Sequence, residues 1–208
     1  MTTELLYVAN PMCSWCYGFH VGLASAVADR THQVVVTLSL GALRADTEPM
    51  RPEQKTYLRE AWTRVGEASS QPFDTALLDR DDFVYDTRPA SRAVAAVRDT
   101  RPDRVLAYLG AVQEAFYRDN RDVTEPSVLA AVAAETDIGA ELIETALGDP
   151  KTATALEAEN HAVAQLGITG YPTLIAMTSP RPTVVALGFK PPDALAEALD
   201  ELDTRPRH

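Results

Sequence analysis

The chain has 208 residues, 46 % of them apolar and 24 % charged; this is the balance of an ordinary soluble protein, long enough to bury roughly 70 % of its unfolded surface without a disulfide or metal staple. Its 30 acidic residues outnumber the 19 Lys and Arg, and the formal net charge of -11 repels phosphate backbones and anionic bilayers, so neither nucleic acid nor a membrane is an expected partner. The opening MTTELLYVANPM has no basic n-region or secretory apolar core, and no apolar run approaches the ~20 residues of a membrane span, so a cytoplasmic location is expected.

In chain order, Glu4 to Ala9 is a short apolar run stopped by the turn pair Asn10-Pro11, which predicts a buried strand. Helical spacing of Phe19, Leu23, Ala26 and Val27 predicts a helix from Trp15 to Arg30, and the β-branched run Gln33 to Leu43 predicts a second strand. From about Pro49 to Gly148 helix signals recur without a convincing strand. One candidate carries Tyr57, Leu58, Trp62 and Val65, and a second starts at Pro89 and runs through Ala93, Val94 and Val97. A third has Leu106, Leu109, Val112 and Phe116 on one face, and a fourth carries Leu129 to Ala133 from a start near Thr124.

Asp149-Pro150 then caps a long helix that Gly167 stops. Thr173 to Met177 and Thr183 to Leu187 read as strands separated by Ser179-Pro180-Arg181-Pro182, and a last helix starts near Pro192. Without its helical middle this order is the thioredoxin arrangement. The expected fold is therefore α/β, a thioredoxin fold with a large all-helical insertion between the second and third sheet strands. Residues 1-48 and 149-208 would form the thioredoxin-like domain, and 49-148 a helical insertion domain over the active-site face.

The chemistry lies in Cys13-Ser14-Trp15-Cys16, the only two cysteines, at a strand-to-helix junction. Cysteines three apart on a first helical turn lie within disulfide range, and the helix N-terminus favours the thiolate that attacks disulfides. Cys13, ahead of the helix and less enclosed, is the expected nucleophile, and Cys16 the resolving thiol. Ser14 and Trp15 would tune the thiolate by hydrogen bonding and solvent exclusion. Two other readings stay open at this point. The pair could be half of a zinc site completed from His20, His32, His161 and His208, although four ligands are usual, or it could be two inert buried thiols. Trp62, Phe73 and Phe116 read as core, and His161 as an ordinary helix residue.

The stretch Asn10-Pro11-Met12-Cys13-Ser14-Trp15-Cys16-Tyr17-Gly18-Phe19 resembles the active-site segment of the DsbA-like thioredoxin-fold proteins, in particular their cytoplasmic FrnE-like branch. Gly167 to Leu174 (GITGYPTL) resembles the loop that presents a cis-proline opposite the cysteines in that family. Weaker matches at Tyr85-Asp86-Thr87-Arg88-Pro89-Ala90, Ala115 to Asn120 and Val123 to Ala133 extend the resemblance over most of the chain.

The resemblance implies a thiol-disulfide oxidoreductase of the oxidase, isomerase or reductase type. Its substrates would be protein or small-thiol disulfides, docked beside Tyr171 and Pro172 by strand addition. A tight turn into a strand is the plain alternative for Pro172. No cofactor beyond the Cys13–Cys16 disulfide is implied and no metal, with glutathione or another small thiol as a candidate co-substrate. Many members carry a buried acid six positions before the first cysteine, where this chain has Tyr7, and often aspartate where it has Asn10. The periplasmic members owe part of their oxidising power to a histidine between the cysteines. Without one, a less oxidising couple is expected, and a potential as high as about -120 mV would contradict this. Kappa-type glutathione transferases and chromene carboxylate isomerases, with serine in place of Cys13, give a second enzyme reading. A partner-binding or zinc module gives a third.

Overall fold

The computed structural model of the chain describes residues 2–30, 34–178 and 181–204. His32, Gln33, His208 and the Ser179-Pro180 half of the expected turn lie outside the described residues.

The first strand, β1 (Thr3–Ala9), is central. It pairs in parallel with β2 (Val34–Leu40) from Thr3↔Val34 to Ala9↔Leu40, and antiparallel with β3 (Thr173–Ala176). β3 pairs antiparallel with β4 (Thr183–Leu187), giving the order β2-β1-β3-β4. Strand side chains alternate between faces. Leu5, Tyr7 and Ala9 join the main core with Cys16, Phe19 and Leu23 of α1 (Ser14–Ala28). Leu6 and Val8 meet Val163 and Ile168, the former in α7 (Pro150–Gln165). Cover on both faces is why β1 reads as a continuous apolar run rather than an alternating one.

The expected thioredoxin fold is found, with four strands and eight α-helices among the described residues. Between β2 and β3 run α2 (Pro52–Ser69), α3 (Arg88–Thr100), α4 (Val105–Tyr117), α5 (Pro126–Glu135) and α6 (Ala140–Gly148). Among the described residues, the one β-pairing of this stretch is the isolated bridge Ala45↔Asp86. α6 was not foreseen as a separate helix: at nine residues, with Ile143 and Ala146 as its buried side chains, it has too short an apolar stripe to stand out. α5 starts at Pro126, two residues after Thr124, because the Asp122 carboxylate accepts from the Thr124 N–H at 3.1 Å and forms a turn ahead of the helix. β2 stops at Leu40, three residues short of Leu43.

The Asp149 cap holds as expected, its carboxylate accepting from the Lys151 N–H at 2.9 Å, and Gly167 past the far end has φ 75°, a region open to glycine. α8 (Pro192–Thr204) packs on α1. Glu159 of α7 accepts from the Leu40 N–H and the Ser39 hydroxyl, both at 2.9 Å, and from Arg98 of α3 at 2.6 Å, so one carboxylate ties the sheet edge to two helices. The main buried cluster runs without a break from β1 and α1 into the helical stretch.

Candidate active site

The end of β1 is built around Asn10, which is 1 % exposed. Its side-chain oxygen accepts from the Met12 N–H at 2.9 Å and its backbone carbonyl from the Cys13 N–H at 3.1 Å, closing the turn that delivers Cys13 to the N-cap of α1. The Asn10 amide donates to the Gly41 carbonyl at 2.9 Å. An ionised aspartate could not donate there, so the asparagine has a structural reason.

Cys13 is 8 % exposed and Cys16, one turn inside the helix, is fully buried; both are free thiols. The Cys13 thiol donates to the Tyr171 carbonyl at 3.6 Å, across the loop whose Tyr171–Pro172 bond is cis. That loop is held from behind, by the Gly188 N–H on the Pro172 carbonyl at 2.7 Å and by the Thr173 hydroxyl on the Gly170 carbonyl at 2.8 Å. From the side, Gly41 lets the Tyr171 ring lie against the backbone: a Cβ there would fall 2.1 Å from it, so the ring would have to move. The structure thus brings together Cys13, Cys16, Tyr171 and Pro172, which lie about 160 positions apart in the chain.

The two thiols are electrostatically opposite. A hydrogen bond from Cys16 lowers the Cys13 pKa against the effect of burial, with the backbone N–H groups of Cys16 and Trp15 adding to it. Burial raises Cys16 well above the ordinary thiol range, and its interaction with Cys13 raises it further. The unpaired N–H groups of a helix start lower a thiol's pKa, as they do for Cys13 here. Ser14 is half-buried beside the pair, and Trp15 is 37 % exposed.

Clefts open on residues that adjoin or hold Cys13, Trp15 and Tyr171 in one and Asn10 in another. One of about 300 Å³ is lined by Trp15, Ala68, Tyr171, Gly188 and Phe189, with the Trp15 and Phe189 rings 5.7 Å apart. The second, about 290 Å³, lies beyond Asn10 and Gly41 and is mixed, with Arg44, Arg88, Ser91 and Asn160 among its walls beside Leu43, Ala45 and Leu156.

Beneath the cysteines the floor is aromatic. Tyr117 of α4 stacks on Tyr17 at 5.1 Å and meets Trp62 of α2 edge-on at 5.0 Å, so the core aromatics expected in the helical stretch reach the residue after Cys16. Phe73 is half-buried against Tyr17 and Trp62. Tyr85 donates to the Met12 carbonyl at 2.7 Å, one residue before Cys13. It is placed there by the Ala45↔Asp86 bridge and by the Thr87 hydroxyl on the Arg44 carbonyl at 2.8 Å. Sequence reading gave Asn10 the role of a turn residue only, and assigned Gly41, Tyr85 and Tyr117 no role; for Tyr85 and Thr87 the available signal was the Tyr85-to-Ala90 match.

His20 lies one turn beyond Cys16, against Gly110 of α4, and burial pushes its pKa down to about 4. His161 is exposed and pairs with Gln165. Among the described residues no group of three or more His, Cys, Asp or Glu is arranged to hold a metal, and no helix is long and apolar enough to cross a membrane.

A model of the DSBA-like thioredoxin domain matches residues 7–200 of the chain. Among solved structures, a chain from Nitrosomonas europaea assigned provisionally to the protein disulfide isomerases is 28 % identical with a TM-score of 0.88, the match covering 99 % of this chain and 100 % of that one. The cytosolic disulfide reductase DsbM from Pseudomonas aeruginosa is 27 % identical at a TM-score of 0.79, over 97 % of this chain and 100 % of that one, and has also been solved with GSH. Among curated proteins, the ClpXP adapter protein SpxH of Bacillus licheniformis is 26 % identical over 151 residues, 73 % of this chain and 48 % of that protein. The chain therefore spans about half the length of the curated relative it matches.

Proposed function

The chain belongs to the DSBA-like thioredoxin family, and from that premise we propose that it is a thiol-disulfide oxidoreductase that exchanges a Cys13–Cys16 disulfide with the thiols and disulfides of proteins or small molecules. The observation that carries this reading is the asymmetry of the pair: a lowered, slightly exposed Cys13 under the Tyr171 carbonyl and a raised, buried Cys16 behind it.

In the reducing direction the Cys13 thiolate attacks one sulfur of a disulfide RS–SR′. The Cys13–SR bond forms, the S–S bond breaks and R′S⁻ leaves. The Cys16 thiol then attacks the Cys13 sulfur, the Cys13–Cys16 bond forms, and RS⁻ departs with the proton that Cys16 gave up. The reverse sequence oxidises a dithiol. Ser14 and Trp15 sit where they would modulate Cys13, and Tyr171 and Pro172 form the edge beside which an extended substrate docks. The GSH-bound neighbour supports a small thiol as one substrate or recycling partner, and the cytosolic neighbour supports a cytoplasmic location. With no histidine between the cysteines, the couple should lie below about -120 mV.

Insulin-disulfide reduction and trapping of mixed disulfides test the reading. Cys13→Ser abolishes both, and Cys16→Ser accumulates Cys13 adducts identifiable by mass spectrometry. Retained turnover in Cys13→Ser would remove the mechanism, and a glutathione-dependent isomerase activity surviving Cys16→Ser would replace it.

A further inference from the structure

We propose that the Tyr7 hydroxyl is the hydrogen-bond donor that stabilises the Cys16 sulfur as that sulfur loses its proton and attacks the mixed disulfide on Cys13. This deepens the exchange reading above and rests on it.

Tyr7 is fixed in the central strand, paired with Leu38 on one side and Leu174 on the other, so its backbone cannot shift without breaking both ladders. Its side chain points to the α1 face of the sheet, where its ring meets Phe19 at 5.9 Å. Phe19 is three residues beyond Cys16, so both share the helix face that covers Tyr7. The residue is 0 % exposed, and its hydroxyl has no partner that meets hydrogen-bond geometry. Of the two cysteines whose charge acts on it, Cys16 acts more strongly and also through a side-chain hydrogen-bond interaction outside that geometry, and Cys16 shares its core cluster on the Phe19 face of α1.

A buried hydroxyl with no partner is costly, and phenylalanine would fill the same space with no polar atom to satisfy. The hydroxyl acquires a partner when Cys16 becomes a thiolate, because a thiolate accepts hydrogen bonds strongly and a thiol weakly. Burial first, then the charges of Cys16 and Cys13, hold the phenol above its ordinary pKa, so it stays a neutral donor. The other ionisable groups that act on Cys16 are Cys13 on its own helix, Tyr117 from α4 and Tyr171 from the cis-proline loop; His20, one turn on, is neutral above about pH 4.

In the resolving step Cys13–S–S–R and Cys16–SH become Cys13–S–S–Cys16 and RSH. The Cys16 proton ends on the leaving sulfur, and Tyr7 keeps its own throughout. Its contribution is to the sulfur's negative charge in between.

The experiment compares wild type with Tyr7→Phe in two assays. In a Cys13→Ser background, the rate of alkylation at Cys16 across a pH series, with the label located by mass spectrometry, follows the Cys16 thiolate. The substitution should raise its titration midpoint by about one pH unit, the scale of a hydrogen bond to a charged group. In the Cys13-competent protein, release of a preformed mixed disulfide should slow roughly tenfold, while the thermal midpoint stays the same or rises. Site-specific 3-fluorotyrosine at position 7, a stronger donor of nearly the same shape, should move the Cys16 midpoint down. An unchanged midpoint and release rate in both variants would overturn the role of Tyr7, as would a parallel loss of release rate and thermal stability with no change in the midpoint. A wild-type protein that resolves no mixed disulfide would overturn the exchange reading itself.

Discussion

The mouth of the site and its floor are made of different materials. At the mouth, Trp15, Tyr171 and Phe189 line an open cleft, with the Tyr171 carbonyl accepting from the Cys13 thiol, and the segments that carry them are held by backbone hydrogen bonds: the Cys13 N–H on the Asn10 carbonyl, the Gly188 N–H on the Pro172 carbonyl. The floor is buried aromatic packing, Tyr17, Trp62, Phe73, Phe116 and Tyr117, with ring centroids about 5–6 Å apart. One region is shaped for a partner to enter. The other excludes water from beneath Cys16 and so separates two thiols that sit in the same helical turn. Substitutions in the floor should therefore be read out in stability first, and substitutions at the mouth in exchange rate first.

The largest effect expected is in the floor. Trp62→Ala empties the centre of the aromatic cluster and should cost about 3–5 kcal/mol in chemical denaturation, with Cys13 alkylation preserved in whatever fraction remains folded. A loss below ~1 kcal/mol would mean that the cluster is not what supports α1. At the boundary between the regions, Asn10→Asp sets a carboxylate against the Gly41 carbonyl and should cost about 1–3 kcal/mol at neutral pH, eased on acidification as the carboxyl gains a proton to donate.

At the mouth the order of readouts reverses. Gly41→Ala forces the Tyr171 ring to move, because a Cβ there falls 2.1 Å from it. Insulin reduction should slow roughly tenfold with little change in melting temperature. Equal losses in both would erase the distinction between mouth and floor. The smallest effect is expected at Tyr85→Phe, which removes the bond to the Met12 carbonyl and should cost about 1 kcal/mol, with a detectable change in the pH profile of Cys13.

The parts of this arrangement that sequence alone made legible are those whose signal is local. β1, the Cys13–Cys16 helix start, the Asp149 cap and the strands β3 and β4 each follow from a few adjacent residues. Pro172 became legible through a second, distant motif read together with the first. What stayed hidden depends on pairs far apart in the chain. Gly41 is needed because of Tyr171, and Asn10 rather than aspartate because of the Gly41 carbonyl. Tyr85 matters because Met12 stops beneath it. Trp62 and Phe116 were recognisable as core, but that their core reaches Tyr17 could not be inferred from their own periodicity.

The central claim, a low-pKa nucleophile with only a small part of its surface open to solvent, backed by a fully buried high-pKa partner, is tested most directly by alkylating the reduced protein across a pH series and locating the label by mass spectrometry. The sign follows from the shifts. A lowered Cys13 is thiolate at pH values where an ordinary thiol is protonated and loses its reactivity only as pH falls through its own depressed pKa; Cys16 ionises only above the ordinary thiol range. Labelling confined to Cys13, with a midpoint below that of a free thiol, is the predicted result. Labelling of both cysteines with one shared midpoint near the ordinary thiol value would contradict it.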